Sequence, residues 1–217
     1  MKISLSNDLI TAIPQFQLGV IYYHNITIDE SPQMVKGRML FFQETLYTDI
    51  VDLDISSIKE VQGWRAMFKQ VGTNPSHYRP SSESLLKRIK KRQFLEPVHS
   101  AVDINNLFSL EYKIPLGLYD LDRLKGDLTI GIGSSTEQYE AINGREISLE
   151  NKLISSDEQG PFGSPYVDSK RSIVTKKTKN ALQLVYFLPQ TTMEDAHRMI
   201  LSIEKLFSQI NGGESKK

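Results

Sequence analysis

Asn105 and Asn106 stand side by side, two residues beyond Asp103. Paired carboxamides can hold a carbonyl or orient a water, as ester hydrolysis requires, but they cannot take up a proton. Their alternative use is to bond local backbone at a helix start. Asp103 would polarise a water, or act as a cap or buried hydrogen-bond anchor. Arg79, ahead of Pro80 and a helix start, has the fork geometry to grip a phosphate or carboxylate through two bonds, or to fix its own loop by an ion pair. Lys87, Arg88, Lys90, Lys91 and Arg92 form the densest basic cluster, suited to a phosphate backbone or to a solvated helix face. Lys170, Arg171, Thr175 and Lys176 would line a pocket mouth or a polar strand edge. His77 is a base by type, although a loop histidine is more often simply exposed. Trp64 with Arg65 fits core packing better than base stacking.

Several chemistries are excluded by what is missing. Cysteine is absent, which removes disulfides, thiolate nucleophiles and cysteine-based zinc sites together. The four histidines are scattered without zinc-ligand spacing, and there is no phosphate-binding loop, dinucleotide fingerprint or Gly-x-Ser-x-Gly elbow. No metal or organic cofactor is expected. Lys and Arg number 26 and Asp and Glu number 26, a net charge of +0, which argues against a broad electrostatic grip on long nucleic acid. Contact with DNA is not expected, and any RNA contact should be small and local. No run approaches the roughly 20 apolar residues of a membrane span, and none resembles a signal peptide, so the cytoplasm is the expected compartment. No oligomeric state is assigned.

These residues must be positioned by the elements around them. Residues 2–5, 16–24, 127–132 and 181–188 read as strands from their β-branched and aromatic content. Asn143-Gly144 signals a hairpin. Apolar spacing predicts helices over about 7–13, 33–47 and 55–70, another after Ser81 and Ser82 as N-caps, and a helix-like run through Val102 to Leu110. Residues 72–82 and 157–165, rich in Gly and Pro, read as loops. The final helix carries the stripe Ala196, Met199, Ile200, Ile203, Leu206, Phe207 and Ile210. Thr191 and Glu194 are its expected capping box, and Asn211-Gly212-Gly213 its stop. Residues 212–217 are expected to fray. Helices before and after a block of strands, without βαβ alternation, predict one α+β domain over 1–217 with a mostly antiparallel β core flanked by helices.

Three segments in order resemble a known family: Asn74-Pro75-Ser76-His77-Tyr78-Arg79-Pro80-Ser81-Ser82-Glu83, then Val102-Asp103-Ile104-Asn105-Asn106, then Pro115-Leu116-Gly117-Leu118-Tyr119-Asp120. Together they look like the B3/B4 domain, the editing domain of the phenylalanyl-tRNA synthetase beta chain, in a free-standing form. The second and third correspond to Val-Asp-x-Thr-Asn and Pro-x-His-x-Phe-Asp segments of that domain. In the synthetase the domain hydrolyses tyrosine wrongly attached to its tRNA. The resemblance implies a tRNA partner engaged at its aminoacyl end. It implies a pocket using Asn105 and Asn106 as catalytic groups, and the Gly117 to Asp120 loop, including Tyr119, beside Arg79, Asp103 and Arg171 for the substrate. Gly117 stands where the synthetase has histidine, Asn105 where it has threonine, and no acid lies between Gln183 and Tyr186. The expected function is therefore a tRNA-associated module, either a stand-alone aminoacyl-tRNA deacylase or a non-catalytic binder of an amino acid or small metabolite. The reading requires the 72–82 loop, the double asparagine and the turn before Tyr119 to surround one small polar hollow.

Overall fold

The computed structural model describes residues 1–217. It opens with β1 (Ile3–Leu5), α1 (Asn7–Ala12) and β2 (Gln17–His24), followed by α2 (Gln33–Ile50), α3 (Lys59–Gln70), α4 (Ser81–Lys90) and α5 (Ser100–Tyr112). Then come β3 (Leu116–Asp120), β4 (Leu128–Ile132), β5 (Gln138–Glu140), β6 (Glu146–Ser148), β7 (Leu153–Asp157), β8 (Gly160–Gly163) and β9 (Ala181–Phe187). The chain ends with α6 (Met193–Asn211) and β10 (Glu214–Lys216).

Two four-stranded sheets, β1-β4-β7-β8 and β10-β2-β9-β3, carry the fold, and β5 and β6 make a separate hairpin. Every pairing is antiparallel except β1 with β4. This is the α+β class expected from the sequence. All seven residues of β9 are buried because it lies between β2 and β3 with a layer on each face. On one face α5 and α6 pack against each other and cover the sheet; Tyr23 of β2 stacks on Phe207 of α6 at 4.0 Å between ring centres. On the other face lies the first sheet, where Tyr119 of β3 meets Phe162 of β8 edge to face at 4.9 Å. A second apolar cluster, including Leu46, Val61, Leu86, Ile89 and Leu110, joins α2, α3, α4 and α5.

Four local expectations change. The tail does not fray: Gly212 and Gly213 adopt φ of 65° and 79°, which turns the chain back so that β10 pairs with Tyr22–His24. Residues 157–165 are not an irregular loop, since β7 and β8 form a hairpin through them. Gly117 to Asp120 is likewise a buried strand and not a loop. Caps also move. Pro80 is the N-cap residue of α4, with no side-chain bond from a serine, and Thr192 caps α6 by accepting from the Asp195 N–H at 3.0 Å.

Candidate functional site

Alternation along β3 puts Gly117 and Tyr119 on the face toward the first sheet. The Tyr119 ring lies between Gly117 and Gly163 of β8. A Cβ on Gly117 would fall 2.2 Å from the Tyr119 oxygen, and one on Gly163 would fall 2.3 Å from it. Gly117 is therefore needed for close approach, but the approaching group is the protein's own phenol. The Tyr119 hydroxyl donates to Asp168 Oδ1 at 2.8 Å, and the Ser164 N–H donates to the same oxygen at 3.3 Å. Burial pushes the Asp168 carboxyl up to about 7, against the lowering effect of those two donors. Burial, reinforced by the nearby Asp168 charge, raises the Tyr119 phenol well above its ordinary value. Tyr186 of β9 sits alongside, its hydroxyl 2.8 Å from Ser155 Oγ, and the Tyr139 hydroxyl donates to the Val167 carbonyl. The anticipated hollow is therefore not formed: the space beside Gly117 is packed by the Tyr119 ring.

The asparagines lie on the opposite side of the sheet. Asn105 donates to the Leu116 carbonyl at 3.2 Å and accepts from Gln183 Nε2 at 2.8 Å; Gln183 in turn accepts from the Tyr23 hydroxyl at 2.8 Å. Asn105 therefore ties α5 to β3 and β9, and its carbonyl oxygen and one N–H are committed there. Asn106 is half-buried on α5 with no side-chain bond within the protein. Asp103 accepts from Ser31 Oγ at 2.5 Å and from the Val98 N–H at 2.9 Å, the arrangement of a buried hydrogen-bond anchor. Asp120 accepts from the Thr178 hydroxyl at 2.6 Å and the Asp122 N–H at 3.1 Å, which binds the end of β3 to the turn before β9. Arg171 is held bidentately by Asp157 at 3.0 and 3.1 Å and also donates to the Gln159 side chain and the Gly160 carbonyl. Its donors clamp the β7–β8 hairpin, and with Lys170 it lines a surface cavity beside Tyr139. These positions correct the expectation of one shared pocket: Asn105, Asp103 and Asp120 serve the packing of α5 and β3, and Gly117 receives Tyr119.

Arg79 belongs to a different constellation. Glu83 on α4 is fully buried, and three cations surround it. Arg65 of α3 binds it bidentately with both bonds at 2.9 Å, Lys87 reaches it at 2.8 Å, and Arg79 stands 3.8 Å away. Burial alone would raise the Glu83 pKa; the hydrogen bonds from Arg65 and Lys87 outweigh it and hold the carboxyl below its ordinary value. Glu83 went unnoticed in the sequence, although Arg79 at i−4 and Lys87 at i+4 were a legible signal. Beside this group, Tyr78 and Tyr166 meet edge to face at 5.4 Å, and the nearly buried Lys152 ammonium lies 3.9 Å from the Tyr78 ring centre. Lys152 and Tyr166 carried no local motif. Their position comes from Thr73 bonding the Asn151 carbonyl and Ser81 N–H bonding the Pro165 carbonyl.

Of the predicted basic cluster, Lys87 is committed to Glu83, Lys90 donates to the Leu53 carbonyl, and Arg92 lies 4.8 Å from the Tyr47 ring centre. Arg88 and Lys91 are exposed and make no ion pair. No group of three or more His, Asp or Glu is placed to hold a metal ion.

A family model described as "B3/4 domain" matches residues 63–207, from within α3 to within α6. "Uncharacterized protein YhzB" of Bacillus subtilis (strain 168) is 34% identical over 217 residues, covering 98% of this chain and 96% of that protein. The phenylalanine–tRNA ligase beta subunit of Fusobacterium nucleatum is 25% identical over 134 residues, covering 60% of this chain and 17% of the subunit. That of Zymomonas mobilis is 27% identical over 158 residues, 71% of this chain and 20% of the subunit. The chain thus spans only a small part of these ligase subunits. Among solved structures, an N-terminal fragment of the phenylalanyl-tRNA synthetase beta-subunit from Pyrococcus horikoshii superposes with a TM-score of 0.50 at 12% identity, covering 99% of this chain and 50% of that one, a likeness of fold. With two-thirds of its length under the family model, this chain belongs to the B3/4 domain family.

Proposed function

We propose that this protein works on tRNA as a free-standing B3/B4 domain, engaging the aminoacylated 3′ end and releasing a wrongly attached amino acid in trans. The observation that carries the reading is the similarity to phenylalanine–tRNA ligase beta subunits over the stretch the family model covers. In the reaction a water attacks the ester carbonyl, the bond to the ribose oxygen breaks, and the ribose hydroxyl recovers a proton. Backbone N–H groups would steady the oxyanion. Asn105 is left out because Leu116 and Gln183 hold it. Asn106, on α5 across the sheet from Tyr119, is left out as well, and the neighbouring ribose hydroxyl of the substrate would direct the proton.

One observation favours a second reading, binding without turnover: the Tyr119 ring packs the space between Gly117 and Gly163. A panel of mischarged tRNAs separates the two. Loss of the ester above the blank, abolished when the neighbouring ribose hydroxyl is removed, supports the deacylase. Bound tRNA with no ester loss supports the binder. Neither binding nor ester loss would overturn both.

A further inference from the structure

We propose that Tyr78, Arg79, Lys152 and Tyr166, backed by Arg65 and Lys87, form a clamp for the single-stranded 3′ end of RNA. This rests on the tRNA reading above and names the surface it would use. Charge makes the first part of the case. Within ion-pair reach, Glu83 alone faces Arg65, Arg79 and Lys87, so two positive charges remain uncompensated. Asp54 adds a more distant negative charge, felt at Arg65. Arg79 is the least engaged of the three: it is the farthest from Glu83, its Nε makes no hydrogen bond, and its side chain is 43% exposed. Lys152 adds a fourth cation, 5% exposed, whose ammonium bonds only the Glu150 carbonyl at 3.3 Å and no carboxylate. Burial lowers the Lys152 pKa and the nearby Glu150 charge offsets this only in part, a cost that a ligand phosphate would relieve.

Shape makes the second part. Tyr78 and Tyr166 are half-buried rings on two separate segments, brought together at the surface. Aromatic faces next to cations suit unstacked bases joined by phosphates. The Tyr166 N–H bonds Ser164 Oγ, and Ser164 in turn bonds Asp168, the partner of Tyr119. The clamp therefore borders the packed Tyr119 and not the exposed end of α4 near Arg88 and Lys91.

The test measures binding of a tRNA and of the same tRNA lacking its unpaired 3′ nucleotides, at several salt concentrations. The wild type should bind the intact tRNA more tightly than the shortened one. Arg79→Ala should weaken binding by roughly tenfold and reduce the salt slope by about one. Tyr166→Ala should weaken it by roughly tenfold with the slope unchanged, and it keeps the test decisive should Arg79→Ala fail to fold. The double variant Arg88→Ala, Lys91→Ala should bind as the wild type does. If the wild type binds the intact tRNA more tightly but both single variants match it, the clamp is wrong while the tRNA reading stands; if the shortened tRNA binds equally well, the clamp falls together with engagement of the 3′ end. If the wild type binds no tRNA, both fall.

Discussion

Two glycines without side chains decide what Tyr119 can do. A Cβ at Gly117 or Gly163 would enter the Tyr119 ring, with Cζ 2.5 Å away from either position. Gly117→Ala and Gly163→Ala should each cost about 1–3 kcal/mol in urea unfolding. Adding Tyr119→Phe should not rescue either one, because Cζ stays in place; full rescue by the phenylalanine would show that the hydroxyl alone is crowded. Asp168 gives a second prediction. An aspartate in an unfolded chain releases its proton near 3.9, whereas Asp168 holds its own up to about 7. Between those values the folded state binds more protons, so the group's contribution to stability is complete below about pH 4 and is lost as pH rises through 7, by at most about 1.4 kcal/mol per unit. Burial lowers the His99 imidazole, which acts in the opposite direction below about pH 6.5, so the informative comparison is with Asp168→Asn. That variant keeps an oxygen for both Tyr119 and Ser164, and its stability minus that of the wild type should grow from pH 4 to pH 7. A flat difference would count against a protonated Asp168. Sequence alone placed Gly117 and Tyr119 in one motif, but Asp168 lies 49 residues from Tyr119, and no local pattern announced that bond.

At the scale of elements, α4 is organised around a charge. Glu83→Ala removes the partner of three cations from a buried position and should cost about 3–5 kcal/mol, measured by chemical denaturation. Arg79→Ala, breaking only a 3.8 Å half-exposed contact, should cost less than about 1 kcal/mol. Equal costs would mean that Arg79 is as structural as Arg65. A chain ending at Gly213 loses β10, together with the Ser215 and Lys217 bonds to Glu204, and exposes the β2 edge. Its stability should fall by on the order of 1 kcal/mol in the same measurement, with the fold retained. No change would restore the frayed tail. The elements most legible in the sequence were those with strong periodicity: β2, β9 and α6 fall within a residue or three of the predicted bounds. The short strands were not. β8 is four residues containing Gly and Pro, and β10 is polar; each exists because a neighbouring strand offers its edge, which is a tertiary cause.

For the whole molecule, family membership and α+β architecture were legible because three motifs occur in order, and the structure supports the architecture. The arrangement of the site was not. Sequence order brings Arg79, Asn105 and Gly117 within 38 positions of one another, yet β3 and β9 intervene between the asparagine and the Tyr119 face, and Arg79 turns to Glu83. The zero net charge hides a local excess at Arg65, Arg79, Lys87 and Lys152, which only the folded chain assembles. No helix is long and apolar enough to cross a membrane. The proposed meeting point of tRNA and protein is where the 72–82 loop and the 162–168 segment adjoin. Amide hydrogen exchange with and without aminoacylated tRNA tests this most directly. It should slow at residues 72–82 and 162–168 and stay unchanged along the exposed side of α4. Slowing confined to the region of Arg88 and Lys91, or none anywhere, would contradict the account.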